Sequence, residues 1–343
     1  MPERSARTDL PDMAFAPFRQ ITLARAAEHD LTVARDDAYG LRIDTYYGRL
    51  EFAPLGKGTR AEIHAPHADY VQVLKDSVVD QIGVKFPHIV QSIRWDDTAG
   101  KTELPANIWP MTVVSVKRME CGFLRVTLRG DVSRFSDEAI HFRVGIAPEG
   151  RIAQWPTVGA NGSTQWPKGE DKLHLPVYTA RHVDHDAGTL CFDVFSHDGG
   201  RASRWAQTVV AESEVLVTSP GGGGCRLNGE IYGFTDETGF PAVARILNAN
   251  SDLTGRFLLY PSRASAMTYP IPDHAGVEVE FAEPGSGALI AEAAQIAIRH
   301  DAPPFLWFAA ERSQAAIVRA EWRKKGHNLK QAYISAFWQK CEQ

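Results

Sequence analysis

The stretch 230–250, EIYGFTDETGFPAVARILNAN, joins a strand-like run to an amphipathic helix and sets the pattern for the rest of the chain. β-prone residues in EIYGFTD predict a strand, and apolar residues at helical spacing in FPAVARILNAN predict a helix. Further strands are predicted at RFLLYPS, GVEVEFAE, PFLWFAAE and QAYISAFW, and further helices at ALIAEAAQIAIRH and SQAAIVRAEWRKKG. This alternation predicts a nucleotide-type α/β domain with a mostly parallel sheet over 226–343.

The preceding region, 107–225, consists mainly of short β-prone runs and has one predicted helix. It contains six short β-prone runs: MTVVSVKRM, FLRVTLRG, IHFRVGIAP, KLHLPVYTARHVD, GTLCFDVFSH and SEVLVTSP. Their number and spacing predict an antiparallel six-stranded β-barrel, interrupted by one helix at ASRWAQTVVA. The glycines at 221–224 predict a flexible joint to the α/β domain.

The amino-terminal region predicts a small α+β domain over 18–96. A strand pair is predicted at LRIDTYYGRLEFAP, a strand at RAEIHAP, a helix at HADYVQVLKDSVVDQIGVKF and a last strand at SIRW. The polar run at 97–106 predicts a domain boundary, and residues 1–17 predict a flexible lead. The whole chain is therefore predicted to be a multi-domain α+β protein.

Composition excludes several functional classes. A formal charge of −5 over 343 residues argues against nucleic acid as a partner. No apolar run approaches the roughly 20 residues that cross a bilayer, so no membrane insertion is expected. The charged start lacks a signal-peptide core, which predicts the cytoplasm. Four cysteines without a C-x-x-C pair predict free thiols.

Three segments carry a family resemblance. They are PVYTARHVDHDAGTLCFDVFSHDGGRASRWA at 176–206, GFTDETGFPAVARIL at 233–247, and FLWFAAERSQAAIVRAEWRKKG at 305–326, which closes on AFW at 336–338. In this order they resemble the siderophore-interacting (ferric-siderophore reductase) family of the ferredoxin-reductase superfamily, over about 107–340. The resemblance implies FAD in the barrel, NADH, NADPH or ferredoxin as electron donor, and a ferric siderophore or other ferric chelate as substrate. It implies flavin-dependent reduction to Fe²⁺ without a catalytic side chain.

The resemblance assigns cofactor roles to two barrel segments. Tyr178 would stack on the flavin ring and Thr179 would hydrogen-bond it. A turn that opens a helix would hold the pyrophosphate through its amides and glycines, and its residues are His197, Gly199, Gly200, Arg201, Ala202, Ser203 and Arg204. The alternatives are a tyrosine packed in a core and an ordinary capped helix.

One position departs from the family pattern. Pro176 stands where the superfamily usually has an arginine that neutralises the flavin phosphates. Arg201 and Arg204 are the nearest candidates to replace that charge, and a plain surface role is the alternative. Weak flavin binding is a consequence to test.

The α/β domain supplies the remaining candidates. Asp236, Glu237 and Thr238 follow its first strand, where open α/β sheets bind ligands, so Asp236 and Thr238 would border the cofactor. The alternative is helix capping by the same residues. Trp338 would cover the flavin or belong to the core.

A basic group on a late helix is the candidate for the anionic substrate, and it consists of Arg319, Arg323, Lys324 and Lys325. Cations at a helix carboxyl end are also common because they complement the helix dipole. Both interpretations stay open at the level of sequence.

The amino-terminal domain resembles a small bacterial family of unknown function through VVDQIGVKFPHIVQSIRW. Lys85, His88 and Arg94 could bind an anion, and stabilisation or partner docking is the alternative. For the whole chain, two further functions stay open: a general flavin reductase, and a non-catalytic flavin- or chelate-binding protein.

Overall fold

A computed structural model describes residues 3–97 and 104–340. The chain forms two compact units, one of residues 1–109 and 147–173 and one of residues 110–146 and 174–343. We call these unit 1 and unit 2. Most of the boundary predicted at 97–106 lies outside the described residues, as does Cys341.

Unit 1 contains a five-stranded antiparallel sheet with the order β1-β5-β4-β3-β2. Its strands are β1 (Arg4–Leu10), β2 (Thr32–Asp37), β3 (Gly40–Thr45), β4 (Gly48–Leu55) and β5 (Gly58–Ala65). Its helices are α1 (Phe15–Glu28), α2 (Ala68–Lys85) and α3 (Pro87–Val90). Buried residues of the strands and the helices form one core, which includes Phe18, Phe52, Ile63, Leu74 and Val78.

The amino terminus is part of this sheet, so the prediction of a flexible lead is wrong. Strand β1 pairs with β5 from Arg4 to Leu10. Ala6 and Leu10 lie on its inner face and are buried. The alternation is masked in the sequence by the charged residues of the outer face, which made the segment look uniformly polar. The predicted strand at SIRW is also wrong, although Ile93 and Trp95 are buried there.

Residues 147–173 belong to unit 1 and not to the barrel region, contrary to the predicted domain limits. They carry the short strands β9 (Thr157–Val158) and β10 (Thr164–Gln165). Asp76 of α2 accepts hydrogen bonds from the Thr164 amide at 2.7 Å and from its hydroxyl at 2.6 Å. Burial raises the pKa of the Asp76 carboxyl.

Unit 2 begins with seven antiparallel strands in the order β11-β8-β14-β6-β7-β13-β12. They are β6 (Ile108–Arg118), β7 (Phe123–Arg129), β8 (His141–Gly145), β11 (Val177–Thr179), β12 (His182–Asp184), β13 (Thr189–Phe195) and β14 (Glu214–Thr218). The run predicted as one strand around Tyr178 divides into β11 and β12 because the Ala180 amide donates to the Ile140 carbonyl whereas the Arg181 amide donates to the Cys191 carbonyl. These two short strands lie at opposite edges of the sheet. Helix α4 (Arg201–Thr208) follows β13.

The second part of unit 2 is a five-stranded sheet in which every pair is parallel, as predicted, with the order β17-β16-β15-β18-β19. Its strands are β15 (Glu230–Asp236), β16 (Thr254–Tyr260), β17 (Val277–Phe281), β18 (Phe305–Glu311) and β19 (Ala332–Trp338). Its helices are α5 (Phe240–Ala249), α6 (Ile290–Ala293), α7 (Gln295–Ile298) and α8 (Arg312–Lys324). Among the helices of the described residues, we find none whose length and apolarity would suffice to cross a bilayer.

The glycine run at 221–224 is packed, so the prediction of a flexible joint is wrong. Gly221 and His141 exchange two backbone hydrogen bonds of 2.7 and 3.1 Å. A Cβ atom on Gly223 would lie 2.6 Å from the Tyr333 ring, and one on Gly224 would lie 2.6 Å from the Asp137 carbonyl. Small residues are required here because two pieces of backbone and an aromatic ring approach closely. We call residues 221–224 the glycine strap.

Candidate functional site

Tyr178 and Thr179 end strand β11, which pairs with β8 through Tyr178↔Phe142 and Thr179↔His141. The Tyr178 ring is partly exposed and lies 4.7 Å from the buried ring of Phe192. Burial raises the pKa of the Tyr178 hydroxyl, so it stays protonated at neutral pH. An aromatic face held against a rigid core is suited to stacking on a planar ligand.

The turn 197–200 leads from β13 into helix α4. Ser203 is buried and ties the two elements together, because its hydroxyl donates to the Phe195 carbonyl at 3.2 Å and accepts from the His197 amide at 3.3 Å. Gly199 has a φ of 80°. A Cβ on Gly200 would lie 2.7 Å from the His197 ring, so a side chain here would displace that exposed ring.

Helix α4 has an open amino terminus. Gly200 is its N-cap, and no side chain caps the first turn. Its first amides, from Arg201 to Ser203, therefore point out of the helix with the positive end of the helix dipole behind them. Arg201 and Arg204 are exposed, and no acidic side chain of the described residues forms a salt bridge with either one. The alternative of an ordinary capped helix is not what the structure shows.

Sequence reasoning missed two side chains beside the Pro176 segment, the cation Arg143 and the histidine His174. Arg143 of β8 is exposed, pairs in register with Val177, and donates from Nη1 to the Leu175 carbonyl at 3.1 Å. Burial, with a smaller contribution from Arg201, lowers the pKa of His174. Arg143, His174 and Arg201 therefore surround the segment in which Pro176 replaces the expected arginine. Cross-strand register was the missing information, because the sequence alone does not pair β8 with β11.

The carboxyl edge of the parallel sheet holds Asp236 and Thr238. Asp236 is buried, accepts from the Thr238 amide at 3.0 Å, and accepts from the Trp338 indole at 2.6 Å. Burial raises the pKa of Asp236 to about 6. The predicted capping role is thus present, and the same carboxylate holds the ring of Trp338, which is 39% exposed.

This edge meets the turn that precedes α4. Arg263, which follows β16, donates from Nη2 to the carbonyls of Ser196 at 2.9 Å and Gly122 at 3.1 Å. Its guanidinium lies 4.6 Å from the centre of the Phe195 ring. Glu237 is buried beside it and accepts from the Ser262 amide. The structure therefore brings the 197–204 turn and the ligand-binding edge of the sheet together.

The basic group on α8 lies elsewhere. Helix α8 starts at the carboxyl edge, directly after β18, and its last residue, Lys324, lies about 18 Å along the helix axis from the first. Arg323, Lys324 and Lys325 are therefore at the opposite edge of the sheet, and Lys324 pairs with Glu321 at 3.5 Å. Arg319 donates to the Ile334 carbonyl of β19. The structure therefore does not bring Arg323, Lys324 and Lys325 to the 197–204 turn, and a substrate site formed by these three residues and Arg319 stays a prediction.

A buried histidine that sequence reasoning missed connects the two halves of unit 2. His141 Nδ1 lies 3.2 Å from the Thr179 hydroxyl, and its Nε2 lies 3.2 Å from the Tyr333 hydroxyl. Burial, and next the nearby Arg245 charge, lower the pKa of His141 to about 4. The ring is therefore neutral at physiological pH.

The anion-binding interpretation of the amino-terminal candidates finds no support in Arg94. Its Nη1 donates to the backbone carbonyls of Gln91 at 2.7 Å and Ile93 at 2.6 Å. Lys85 and His88 end α2 and lie in α3, respectively. These contacts give Arg94 a local structural role.

The residues of unit 2 fit a flavin dinucleotide. The open helix terminus, the two glycines and the unpaired Arg201 and Arg204 suit a pyrophosphate, and the Tyr178 ring suits a planar heterocycle. Pro176 offers no charge, so the cations come from neighbouring segments.

Comparison with known proteins gives two family matches in sequence. Residues 112–224 match the siderophore-interacting FAD-binding domain, and residues 230–341 match the siderophore-interacting protein family. A curated relative, the NADPH-dependent ferric-chelate reductase of Escherichia coli (strain K12), is 26% identical over 243 residues, which is 66% of this chain and 91% of the relative.

Solved structures show the same fold. The siderophore-interacting protein SipS from Aeromonas hydrophila matches with a TM-score of 0.55 and 18% identity, covering 68% of this chain and 99% of its own. A siderophore utilization protein from T. fusca matches with a TM-score of 0.57 and 22% identity, covering 69% and 94%. Both matches span about two thirds of the chain.

Proposed function

Because the chain belongs to the siderophore-interacting protein family over residues 112–341, we propose that it is an FAD-dependent oxidoreductase that reduces a ferric siderophore or a similar ferric chelate. The observation that carries the proposal is the open amino terminus of α4 with Arg201 and Arg204 unpaired beside the Tyr178 strand. The free backbone amides and the helix dipole at such a terminus are suited to binding phosphate groups.

The cofactor residues have separate tasks. The α4 amides, Gly199, Gly200, Arg201 and Arg204 hold the pyrophosphate. Tyr178 supports one face of the ring system, and Thr179 presents a hydroxyl at its edge. Asp236 holds the ring of Trp338 through a hydrogen bond, and Trp338 would cover the flavin. The flavin, when bound, accepts electrons in pairs and passes them on one at a time.

The substrate is a chelate of Fe³⁺, and the protein needs only to bring it close. Oxygen ligands hold Fe³⁺ more strongly than Fe²⁺, so reduction loosens the chelate and releases the metal. Arg143, exposed beside the Pro176 segment, provides positive charge for an anionic chelate. The ferric-chelate reductase of E. coli, which is similar over the same region, supports this class of substrate.

The electron donor is NADPH or NADH, or an electron-donor protein such as ferredoxin. The first strand of the parallel sheet ends in Thr235-Asp236-Glu237-Thr238-Gly239, without a G-x-G-x-x-G turn. A nicotinamide donor therefore binds transiently. The name of the E. coli relative supports NADPH as the first donor to test.

Two finer features complete the proposal. We infer that the antiparallel sheet closes into a six-stranded barrel, in which 177–184 counts as one bent strand, because β11 and β12 are the two edge strands and are separated by two residues. We also propose the cytoplasm as the location. Free thiols at Cys121, Cys191 and Cys225 support a reducing compartment.

The cofactor assignment is tested by adding FAD to the purified protein and measuring its dissociation constant from flavin fluorescence. Arg201→Ala combined with Arg204→Ala is expected to weaken binding about tenfold or more, which corresponds to about 1.4 kcal/mol. The matched control is Arg323→Ala combined with Lys325→Ala, since these cations lie at the other edge of the sheet. Equal affinities for all three proteins would refute the phosphate site.

Pro176 favours one second candidate, a flavin- or chelate-binding protein without turnover. Loss of the usual arginine weakens the hold on the cofactor that turnover requires. A protein that binds FAD but whose bound flavin no donor reduces would support this candidate. A general flavin reductase differs from a ferric-chelate reductase in its electron acceptor. It would reduce free flavin faster than it reduces ferric chelates.

A further inference from the structure

Three side chains form a continuous hydrogen-bonded row in unit 2. The Thr179 hydroxyl lies 3.2 Å from His141 Nδ1, and His141 Nε2 lies 3.2 Å from the Tyr333 hydroxyl. The Ser335 side chain, two residues further along β19, lies close enough to the Tyr333 hydroxyl to have a small lowering effect on its pKa. Ser335 is partly exposed, so the row leads from the end of β11 towards solvent.

The surroundings isolate the middle of this row from water. His141 is 8% exposed. Its ring stacks on Tyr333 at 6.2 Å and meets the edge of Phe337 at 5.0 Å. The glycine strap covers both rings, since a Cβ on Gly222 would lie 2.9 Å from His141 and one on Gly223 would lie 2.6 Å from Tyr333. This close approach explains why the strap consists of glycines.

The groups in the row are neutral. Burial and the neighbouring Arg245 keep the pKa of His141 at about 4. Burial raises the pKa of Tyr333 to about 12, against a smaller opposite effect of the Ser335 side chain. A neutral imidazole has one donor and one acceptor nitrogen, so it transmits a proton without becoming a persistent cation.

Both directions of hydrogen bonding are therefore available. In one, the Thr179 hydroxyl donates to Nδ1 and Nε2–H donates to the Tyr333 oxygen. In the other, the Tyr333 hydroxyl donates to Nε2 and Nδ1–H donates to the Thr179 oxygen. Conversion from the first to the second moves one proton into the row at the Thr179 oxygen and releases one proton at Tyr333, to Ser335 or water. No atom is left charged at the end.

We propose that Thr179, His141 and Tyr333 form a proton relay, shielded by the glycine strap, that carries the proton released when the flavin is reoxidised. The inference rests on the proposed function, because Thr179 must face the bound flavin. His141 and Tyr333 act through Thr179 and are positioning residues. A reductase that passes single electrons to iron must also dispose of protons, and this row supplies a path for them from the Thr179 hydroxyl.

The test uses Tyr333→Phe, which removes one hydroxyl and keeps the ring that packs on His141 and Trp307. The control is Tyr232→Phe, since Tyr232 lies in the same sheet against Arg256 and His300 and away from the row. Oxidation of the reduced, FAD-loaded protein by a ferric chelate is followed in H₂O and D₂O. Tyr333→Phe is expected to slow oxidation about tenfold or more and to increase the solvent isotope effect. Tyr232→Phe is expected to match the wild type.

A second readout needs no cofactor. In ¹⁵N-histidine-labelled protein without flavin, assigned with His141→Asn, the nitrogen shifts report which ring nitrogen carries the proton. Tyr333→Phe leaves Nε2 without a partner, so the equilibrium is expected to shift towards the Nδ1–H form. Unchanged shifts, or changed shifts with an unchanged oxidation rate and isotope effect, would overturn the relay. If the wild-type protein does not bind flavin, the proposed function is refuted, and the relay, which depends on it, is refuted as well.

Discussion

Replacing Arg125 with methionine is expected to destabilise unit 2 far more than the same replacement of Arg129 on the same strand. Arg125 of β7 donates two hydrogen bonds of 2.7 Å to Asp193 of β13. The Asp193 side chain is 0% exposed, and its third partner is the Tyr269 hydroxyl at 2.6 Å. This network joins the antiparallel strands to the segment that follows β16.

The magnitude follows from burial. Removing one partner of a buried ion pair costs about 3–5 kcal/mol, because the remaining charge stays buried without compensation. The Arg125 side chain is 30% exposed, so the lower end, about 3 kcal/mol, applies. For a unit of this size class, about 2–4 °C are lost per kcal/mol, which gives a decrease in Tm of about 6–12 °C.

The control is Arg129→Met, because Arg129 lies on the same strand, β7, as Arg125. Arg129 reaches Glu212 at 3.3 Å, and the two side chains are 52% and 71% exposed. Its loss is expected to cost less than about 1 kcal/mol. Thermal unfolding followed by circular dichroism and by calorimetry measures both variants. Equal changes in Tm for Arg125→Met and Arg129→Met would refute the assignment of a stabilising role to the buried network.

Three further outcomes are expected. Asp236 has its pKa raised to about 6 by burial, so the folded state binds a proton more readily than the unfolded state. The stability of the wild type relative to Asp236→Asn should therefore fall as the pH rises from about 4 to 7, by up to about 3 kcal/mol; parallel stability–pH curves from urea unfolding would contradict this. Gly223→Ala should destabilise by about 1–3 kcal/mol because its Cβ would meet Tyr333, whereas Gly287→Ala, with open space around it, should change the unfolding midpoint little, and equal effects would show that the strap is not tightly packed. Pro176→Arg should tighten FAD binding about fivefold in a fluorescence titration by restoring a phosphate partner, and an unchanged dissociation constant would mean that Arg143 and Arg201 already complete the charge.

The parallel sheet could be predicted from sequence because its signal is local. Each strand and helix of 226–343 carries its own hydrophobic period, and the alternation fixes the connections. The helix predicted over 288–300 illustrates the limit, because the structure has the two short helices α6 and α7 there in place of one continuous helix. The turn at Asp236 was found by its position after the first strand.

The remaining features depend on contacts that are distant in the chain. Strand β1 was missed because its inner face holds only Ala6, Thr8 and Leu10 between charged neighbours. His141 and Tyr333 are 192 residues apart, and no local sequence pattern near either residue predicts their contact. The α8 cations were placed at the site because sequence shows their clustering but not the edge of the sheet at which the helix ends.

The central claim, that this chain reduces ferric chelates through a bound flavin, is tested most directly by one anaerobic mixing experiment. The FAD-loaded protein is reduced with a stoichiometric amount of NADPH or dithionite and mixed with a ferric chelate in the presence of an Fe²⁺-specific indicator. The account predicts that flavin absorbance returns and that two Fe²⁺ ions appear for each flavin oxidised. A bound flavin that stays reduced in the presence of the ferric chelate, with no Fe²⁺ formed, would contradict it.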